Sequence, residues 1–369
     1  MNAFRYQSHA QEVIFGAGAL AQLPVLVTQG GWRRTLLITS HSYRANGRVD
    51  QIGALLGNRL AAVCDDIRPH VPDWQRDAVL WAARSRSVDA IVALGGGSSM
   101  GMAKAVAHAF DESRLAVIAI PTTYAGSEMT PIFGVTHTGE EPRRKVTVTD
   151  PAIVPRLVVY DPELTLDLPP DLTASSGINA LAHCIEALYS TTRHPLSTAA
   201  ALDGMRRIFA ALPRCHADRD DLAARSELLL GAHLAGLSLC SVRLGLHHGV
   251  CHVLGGSAGV PHGISNSIML AHAVRFNAPV VADLLLPAAA AMGLTVGGPD
   301  PLATAEAVAG RIHALVESLG LPRRLRDADI SESDLPRLAQ LAYENHTVQS
   351  NPRPVESPAQ METLLREAW

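Results

Sequence analysis

The chain has 369 residues, 47% of them hydrophobic and 18% charged, with a formal net charge of −4 at pH 7. This length favours two domains, each with a buried core, and the near-neutral charge offers no footprint for nucleic acid or an anionic membrane. Five scattered cysteines, Cys64, Cys184, Cys215, Cys240 and Cys251, form no C-x-x-C pair, which points to thiols in a reducing compartment rather than a disulfide framework. The start, MNAFRYQSHAQEVIFG, has no apolar run of the signal-peptide kind. Nor does any segment read as the roughly 20 apolar residues that span a bilayer. The expectation is a cytoplasmic protein without membrane or nucleic-acid partners.

From residue 1 to about 160 strands alternate with helices. Thr35–Ser40 is a short β-branched apolar run suited to a buried parallel strand. A helical stretch covers Val49 to Leu60, and AAVCDDI follows as a second strand. WQRDAVLWAARSR is amphipathic, VDAIVAL runs as a strand directly into GGGSS, and SMGMAKAVAHAF continues as helix. RLAVIAIPTTY repeats the strand-into-loop pattern. This order predicts a Rossmann-like, mainly parallel sheet with ligands at the carboxyl ends of its strands. Beyond VPRLVVYDPELTLDLPP the period becomes helical, in LTASSGINALAHCIEAL, HPLSTAAALDGMRRIFAALP, RSELLLGAHLAGLSLC and DPLATAEAVAGRIHALVESLG. The predicted organisation is an α/β domain over 1–160 and an all-helical domain over 161–369.

Gly95, Gly96, Gly97 and Ser98 lie between a strand and a helix. Glycines there let backbone amides approach a pyrophosphate, and the helix N-terminus adds its positive dipole. The next loop, Ile120–Glu128, carries hydroxyls at Thr122, Thr123 and Ser127. Gly-Lys-Ser or Gly-Lys-Thr spacing is absent, which argues against an NTPase. Ser40 ends the first strand where an acidic residue commonly grips a ribose 2′-hydroxyl and repels a 2′-phosphate. A neutral Ser with Arg44 nearby leaves NADPH acceptable alongside NADH, although Asp65 and Asp66 also lie within reach of the ribose.

Asn179 and His183 stand four apart in a helical stretch, so both side chains emerge on one face. His248 and His262 flank HGVCHVLGGSAGVPH, whose Gly and Pro turns are expected to bring the imidazoles together. Three imidazoles and a carboxylate would hold a catalytic divalent metal. Here the fourth residue is an amide, a weak and neutral ligand. The pattern is that of a metal site that has lost its anionic ligand: Asn179, His183, His248 and His262 form a degenerate set, and no metal is expected. His108, His137, His194, His216 and His233 fit no such template and read as core or surface residues.

Taken together, GGGSSMGMAK, PTTYAGSEMTPIFG, GINALAHCIEALY, GLHHGVCHVLGGS and NPRPVESPAQMETLLREAW resemble the iron-containing (group III) alcohol dehydrogenase family over essentially the whole chain. The maleylacetate reductase branch is the nearest match, with Gly101 and Asn179 where alcohol dehydrogenases carry Asp. The resemblance implies an NADH- or NADPH-dependent oxidoreductase that reduces the carbon–carbon double bond of 2-maleylacetate to 3-oxoadipate, or acts on a related oxo-acid, without metal. It places Gly95–Ser98 on the pyrophosphate, Thr122 and Thr123 beside the cofactor, and Lys145 near the ribose. His183, His248, His252 and Tyr124 would polarise the substrate or supply a proton. Arg243, just before GLHH, is the candidate cation for a dicarboxylate, and Asn179 and His262 face the substrate. A homodimer is the implied assembly. Gly249, where the branch often has Lys, and Pro261–Asn266 (PHGISN) depart from the reductase pattern. The alternative is a metal-dependent alcohol or aldehyde dehydrogenase in which Asn179 still coordinates.

Overall fold

The structure, a computed structural model, describes residues 3–110, 115–139, 144–295 and 300–369. Two compact units emerge, Ser8–Leu168 on one side and Met1–Gln7 with Pro169–Trp369 on the other. The division thus falls at Leu168, where the sequence suggested residue 160, and the first seven residues go with the helical unit.

The α/β unit is built on a sheet of β1 (Glu12–Phe15), β2 (Thr35–Ile38), β3 (Leu60–Cys64), β4 (Ala90–Gly95), β5 (Ala116–Pro121) and β8 (Leu157–Tyr160). Its order is β1-β8-β5-β4-β2-β3, and every pairing is parallel. Strands β2, β4 and β5 are buried along their whole length, which is why TLLI, AIVALG and AVIAIP are unbroken apolar runs. Helices α1 (Leu23–Gln29), α2 (His41–Ala45), α3 (Arg48–Leu56), α4 (Asp73–Ser85) and α5 (Gly97–Ala109) connect them. The chain leaves β2 for β3 on one side and returns to β4 on the other, so a topological switch point lies between β2 and β4. Ligands bind open α/β sheets at such a crevice, beyond the strands' carboxyl ends. A separate antiparallel ribbon joins β6 (Ile132–His137) to β7 (Arg144–Thr149); the sequence reading did not foresee it.

The helical unit contains α6 (Pro170–Tyr189), α7 (Pro195–Ala217), α8 (Leu222–Cys240), α9 (Leu246–Ala258), α10 (His262–Ala291), α11 (Pro301–Ser318), α12 (Leu335–Tyr343), α13 (His346–Gln349) and α14 (Pro358–Glu367). Proline opens α6, α7, α11 and α14 within their first two positions, where a missing N–H costs nothing. Helix α6 is the spine of this unit: sixteen of its residues, from Thr173 to Tyr189, are buried. By length and composition α10 is long and apolar enough to cross a membrane, contrary to the expectation of no such segment. However, 56% of its apolar window is buried inside the fold, the profile of a core helix. Leu246, Val250 and Leu254 of α9 and Ile268 and Met269 of α10 join Leu338, Met361 and Leu365 in one apolar cluster.

Candidate active site

The glycine loop sits at the switch point. Gly95 has φ +137°, a conformation open essentially to glycine, and a Cβ there would meet Ser99 Oγ at 2.6 Å. A Cβ on Gly96 would meet Thr123 Cγ2 and Oγ1 at 2.8 Å, so the backbone and the Thr123 side chain are packed edge to edge. Gly97, the first residue of the 13-residue helix α5, has nothing within 4 Å of its Cβ position. Open space at a helix N-terminus, lined by unpaired amides, is what a pyrophosphate requires. These residues therefore fit a dinucleotide.

The second loop is held from below. Lys104 of α5 is fully buried and donates from Nζ to the carbonyl of Ser127, to Ser127 Oγ (3.2 Å), to Thr130 Oγ1 (3.1 Å) and to the carbonyl of Ile132 (3.0 Å). Burial drags its ammonium down to about 7, partly offset by the charge of Glu128. Glu128 in turn accepts from Tyr160 Oη at 2.7 Å. The Ser127 hydroxyl is thus engaged with Lys104, and Thr122 Oγ1 lies 2.5 Å from Tyr43 Oη. Among the loop hydroxyls proposed for the cofactor, Thr123 is the one packed on the glycine backbone. Ser40 occupies the N-cap position of α2 without a side-chain cap bond, its Oγ lying 3.1 Å from that of Ser42. Lys145 lies on β7, with its side chain outside the described residues. Tyr124 is fully buried in the α/β unit.

In the helical unit the imidazoles converge. The rings of His183 and His248 stack with centroids 4.7 Å apart, His248 lies 5.9 Å from His262 and 6.3 Å from His252, and His252 stacks on His262 at 5.9 Å. The turn that allows this is Gly259, at φ +74°, followed by Pro261; the earlier Gly255 and Gly256 are helical residues of α9. Asn179 is buried one turn before His183 on α6. His252 is exposed and His262 half-buried, so the cluster runs from a buried floor to an open rim.

Its organising group went unnoticed in the sequence. Glu186, three residues after His183, is almost fully buried. Its Oε2 accepts from His248 Nδ1 at 2.6 Å, and its Oε1 accepts from the backbone N–H groups of Gly245 and His247, each at 3.1 Å. The carboxylate therefore ties the start of α9 to α6 and sets one tautomer: Nδ1–H on Glu186, with an acceptor Nε2 that is buried and has no hydrogen-bond partner in the described structure. A second clamp joins His247 Nε2 to Asn266 Oδ1 at 2.7 Å, while Asn266 Nδ2 donates to the His262 carbonyl at 2.7 Å. Asn266 of PHGISN is thus structural. Burial, then the neighbouring imidazoles, hold His183 and His248 well below the usual histidine range, while burial raises Glu186. Both imidazoles are neutral acceptors or polarising groups at pH 7. A spacing signal for Glu186 was available: with Asn179 and His183 it sits at i, i+4 and i+7 of one helical face.

Arg243 is exposed, and its backbone makes the bonds here, N–H to Thr192 Oγ1 and carbonyl from Ser190 Oγ. Gly249 has a packing explanation. A Cβ there would stand 2.5 Å from Val348 Cγ2 and 2.8 Å from Val348 N, so α13 occupies the space a lysine would need. Burial raises the thiols of Cys184 and Cys251, which suits packing rather than nucleophilic use. His108 and His137 pair with Asp150 and Asp73, and His194 caps α7. Among the described residues, no group of three or more His, Cys, Asp or Glu side chains is arranged to hold a metal ion. With an amide at residue 179 and the buried carboxylate of Glu186 spent on His248, the donor set does not fit a catalytic metal.

A parallel sheet with a glycine loop at its switch point and a separate helical unit carrying clustered imidazoles are each consistent with an oxidoreductase. Residues 10–162 match the model for iron-containing alcohol dehydrogenases, and residues 173–369 match that for the C-terminal part of the Fe-containing alcohol dehydrogenase family. The chain belongs to the iron-containing alcohol dehydrogenase family and is an oxidoreductase. It is 39% identical to a maleylacetate reductase of Burkholderia cepacia over 100% of this chain and 98% of the relative. Identity is 37% with maleylacetate reductase 1 of Cupriavidus pinatubonensis, over the same shares. The crystal structure of maleylacetate reductase from Agrobacterium tumefaciens superimposes with a TM-score of 0.89 at 34% identity, covering 100% of this chain and 99% of that one.

Proposed function

We propose that this chain is an NAD(P)H-dependent maleylacetate reductase that works without a metal, forming 3-oxoadipate in the breakdown of aromatic compounds. The observation that carries the reading is the full-length identity of 39% with a protein of that name; the amide at Asn179 supports metal independence. When bound, the nicotinamide supplies a hydride to the substrate carbon β to the 4-oxo group. The electron pair of the double bond moves toward that oxygen, and the neighbouring carbon takes a proton. Gly96, Gly97 and Ser98 hold the coenzyme's pyrophosphate through backbone amides, with Thr123 beside it. His248, held by Glu186, and His183, stacked on it, line the floor as neutral rings and orient the substrate. His252, exposed at the rim, hands over the proton, with His262 stacked against it. Asn179 donates its amide N–H to substrate oxygen.

The test is coenzyme consumption with maleylacetate, on one preparation with and without prior chelation. Turnover that survives chelation is the expected result. Activity that collapses and returns with Fe(II) or Zn(II) would replace this reading with the metal-dependent alcohol or aldehyde dehydrogenase. That alternative draws on PHGISN and on a TM-score of 0.93 with 1,3-propanediol oxidoreductase at 28% identity.

A further inference from the structure

The carboxyl ends of β2 and β3 emerge side by side, with Ile38 in register with Cys64 on one flank and with Ala93 of β4 on the other. The Thr39 N–H donates to the Cys64 carbonyl at 2.9 Å, and the Ile67 N–H donates to the Thr39 carbonyl at 3.2 Å. Ser40 and Asp65 are therefore neighbours at the edge of the switch-point crevice, where the ribose next to an adenine would lie once the pyrophosphate is on Gly96 and Gly97. Each acidic residue there already faces a guanidinium. Arg44 of α2 is ion-paired with Asp65, and Arg68 lies 3.4 Å from Asp66. The Arg44 and Asp65 side chains are 47% and 24% exposed, so their pairing exchanges with solvent at little cost. Ser40 and Ser42 add two hydroxyls within 3.1 Å of each other.

Resting on the coenzyme reading above, we propose that Arg44 and Asp65 form an exchangeable pair that selects the 2′ substituent of the coenzyme, and that the site takes a 2′-phosphate. With a 2′-phosphate present, Arg44 leaves Asp65 for the dianion, and Ser40 and Ser42 donate to its oxygens. With a 2′-hydroxyl, Arg44 stays on Asp65 and the hydroxyl is met by Ser40 alone. Asp65 is thus a competitor for Arg44 as well as a repulsive charge for the phosphate. A carboxylate that grips the ribose directly, the usual device for NAD selection, would instead be free of cations.

The experiment is a direct titration of NADPH and of NADH, by coenzyme fluorescence, into the wild-type protein, Arg44→Gln and Asp65→Asn, with no substrate present. Losing a charge-assisted contact at a half-exposed site should raise the NADPH dissociation constant of Arg44→Gln about ten-fold, with NADH moving less than about two-fold. Asp65→Asn should tighten NADPH by about three-fold or more, since the competitor is gone and the guanidinium remains. Equal changes for both coenzymes in either variant would overturn the assignment, as would an NADPH affinity indifferent to both substitutions. A wild-type protein that binds neither coenzyme would overturn the coenzyme reading itself, a result distinct from failure of selectivity. Because binding is read without turnover, the outcome does not depend on maleylacetate being the substrate.

Discussion

Replacing Glu186 by Gln changes one atom and should change the chemistry more than the fold. The carboxylate accepts three hydrogen bonds, two from the amides of Gly245 and His247 to Oε1 and one from His248 Nδ1 to Oε2. A glutamine keeps the carbonyl oxygen on the two amides and turns its NH2 toward His248. The imidazole then has to accept at Nδ1 and carry its proton on Nε2, the nitrogen that otherwise is a buried acceptor. A hydrogen bond to a charged group contributes about 1.5–3 kcal/mol, and about 1.36 kcal/mol is a factor of ten. Turnover should therefore fall by about 10- to 100-fold, while coenzyme affinity holds and the melting temperature drops only slightly. Glu186→Ala is the contrast, for it orphans two backbone N–H groups in a buried site and should destabilise by about 2–5 kcal/mol. The assays are steady-state coenzyme oxidation, thermal melting, and nitrogen NMR of labelled histidine to read the His248 tautomer. A Glu186→Gln protein that turns over within about two-fold of wild type, with the tautomer inverted, would refute the reasoning.

Three further outcomes are expected. His252→Ala should lower turnover by about 100-fold, the usual scale of a general acid, with little change in the NADH dissociation constant; equal loss of both would remove His252 from the chemistry. Asn179→Asp restores an anion beside His183 and should yield protein that retains stoichiometric Fe(II) or Zn(II) after reconstitution and desalting, measured by elemental analysis; unchanged metal content would count against a lost ligand. Burial holds His233 and His272 at about 4, against an ordinary 6.5. Both are neutral in the folded and unfolded chain above pH 6.5, and below it the unfolded chain takes up protons first. Stability should fall between pH 6.5 and about 4, and His272→Leu should flatten that acid limb in melting curves. An identical limb in the variant would show that the loss arises elsewhere.

How much of this was legible in the sequence depends on whether the signal runs along one element or between two. Strands β2, β4 and β5 are buried on both faces, so their apolar runs stand out unaided. Strand β1 is an edge with Val13 and Phe15 exposed at 36% and 38%. It carries no such run and was passed over, and LVVY of β8 lies within the stretch taken as the domain boundary because the period turns helical beyond it. The same division holds in the site. Asn179 and His183 were found because one helix fixes their spacing, and the glycine loop because strand, turn and helix succeed one another in sequence. Glu186 does share a helical face with Asn179 and His183, but its partners, like those of His247 and Asn266, are met only once α6, α9 and α10 pack. Gly249 shows the cost of reading such a residue alone. In sequence it resembles a lost substrate cation; in the fold it is the contact point of α9 with α13, with a neighbouring backbone nitrogen 2.8 Å from where a Cβ would stand. A lysine introduced there would have to displace α13 before it could reach any substrate. A Gly249→Lys substitution should therefore unfold the corner rather than improve dicarboxylate binding.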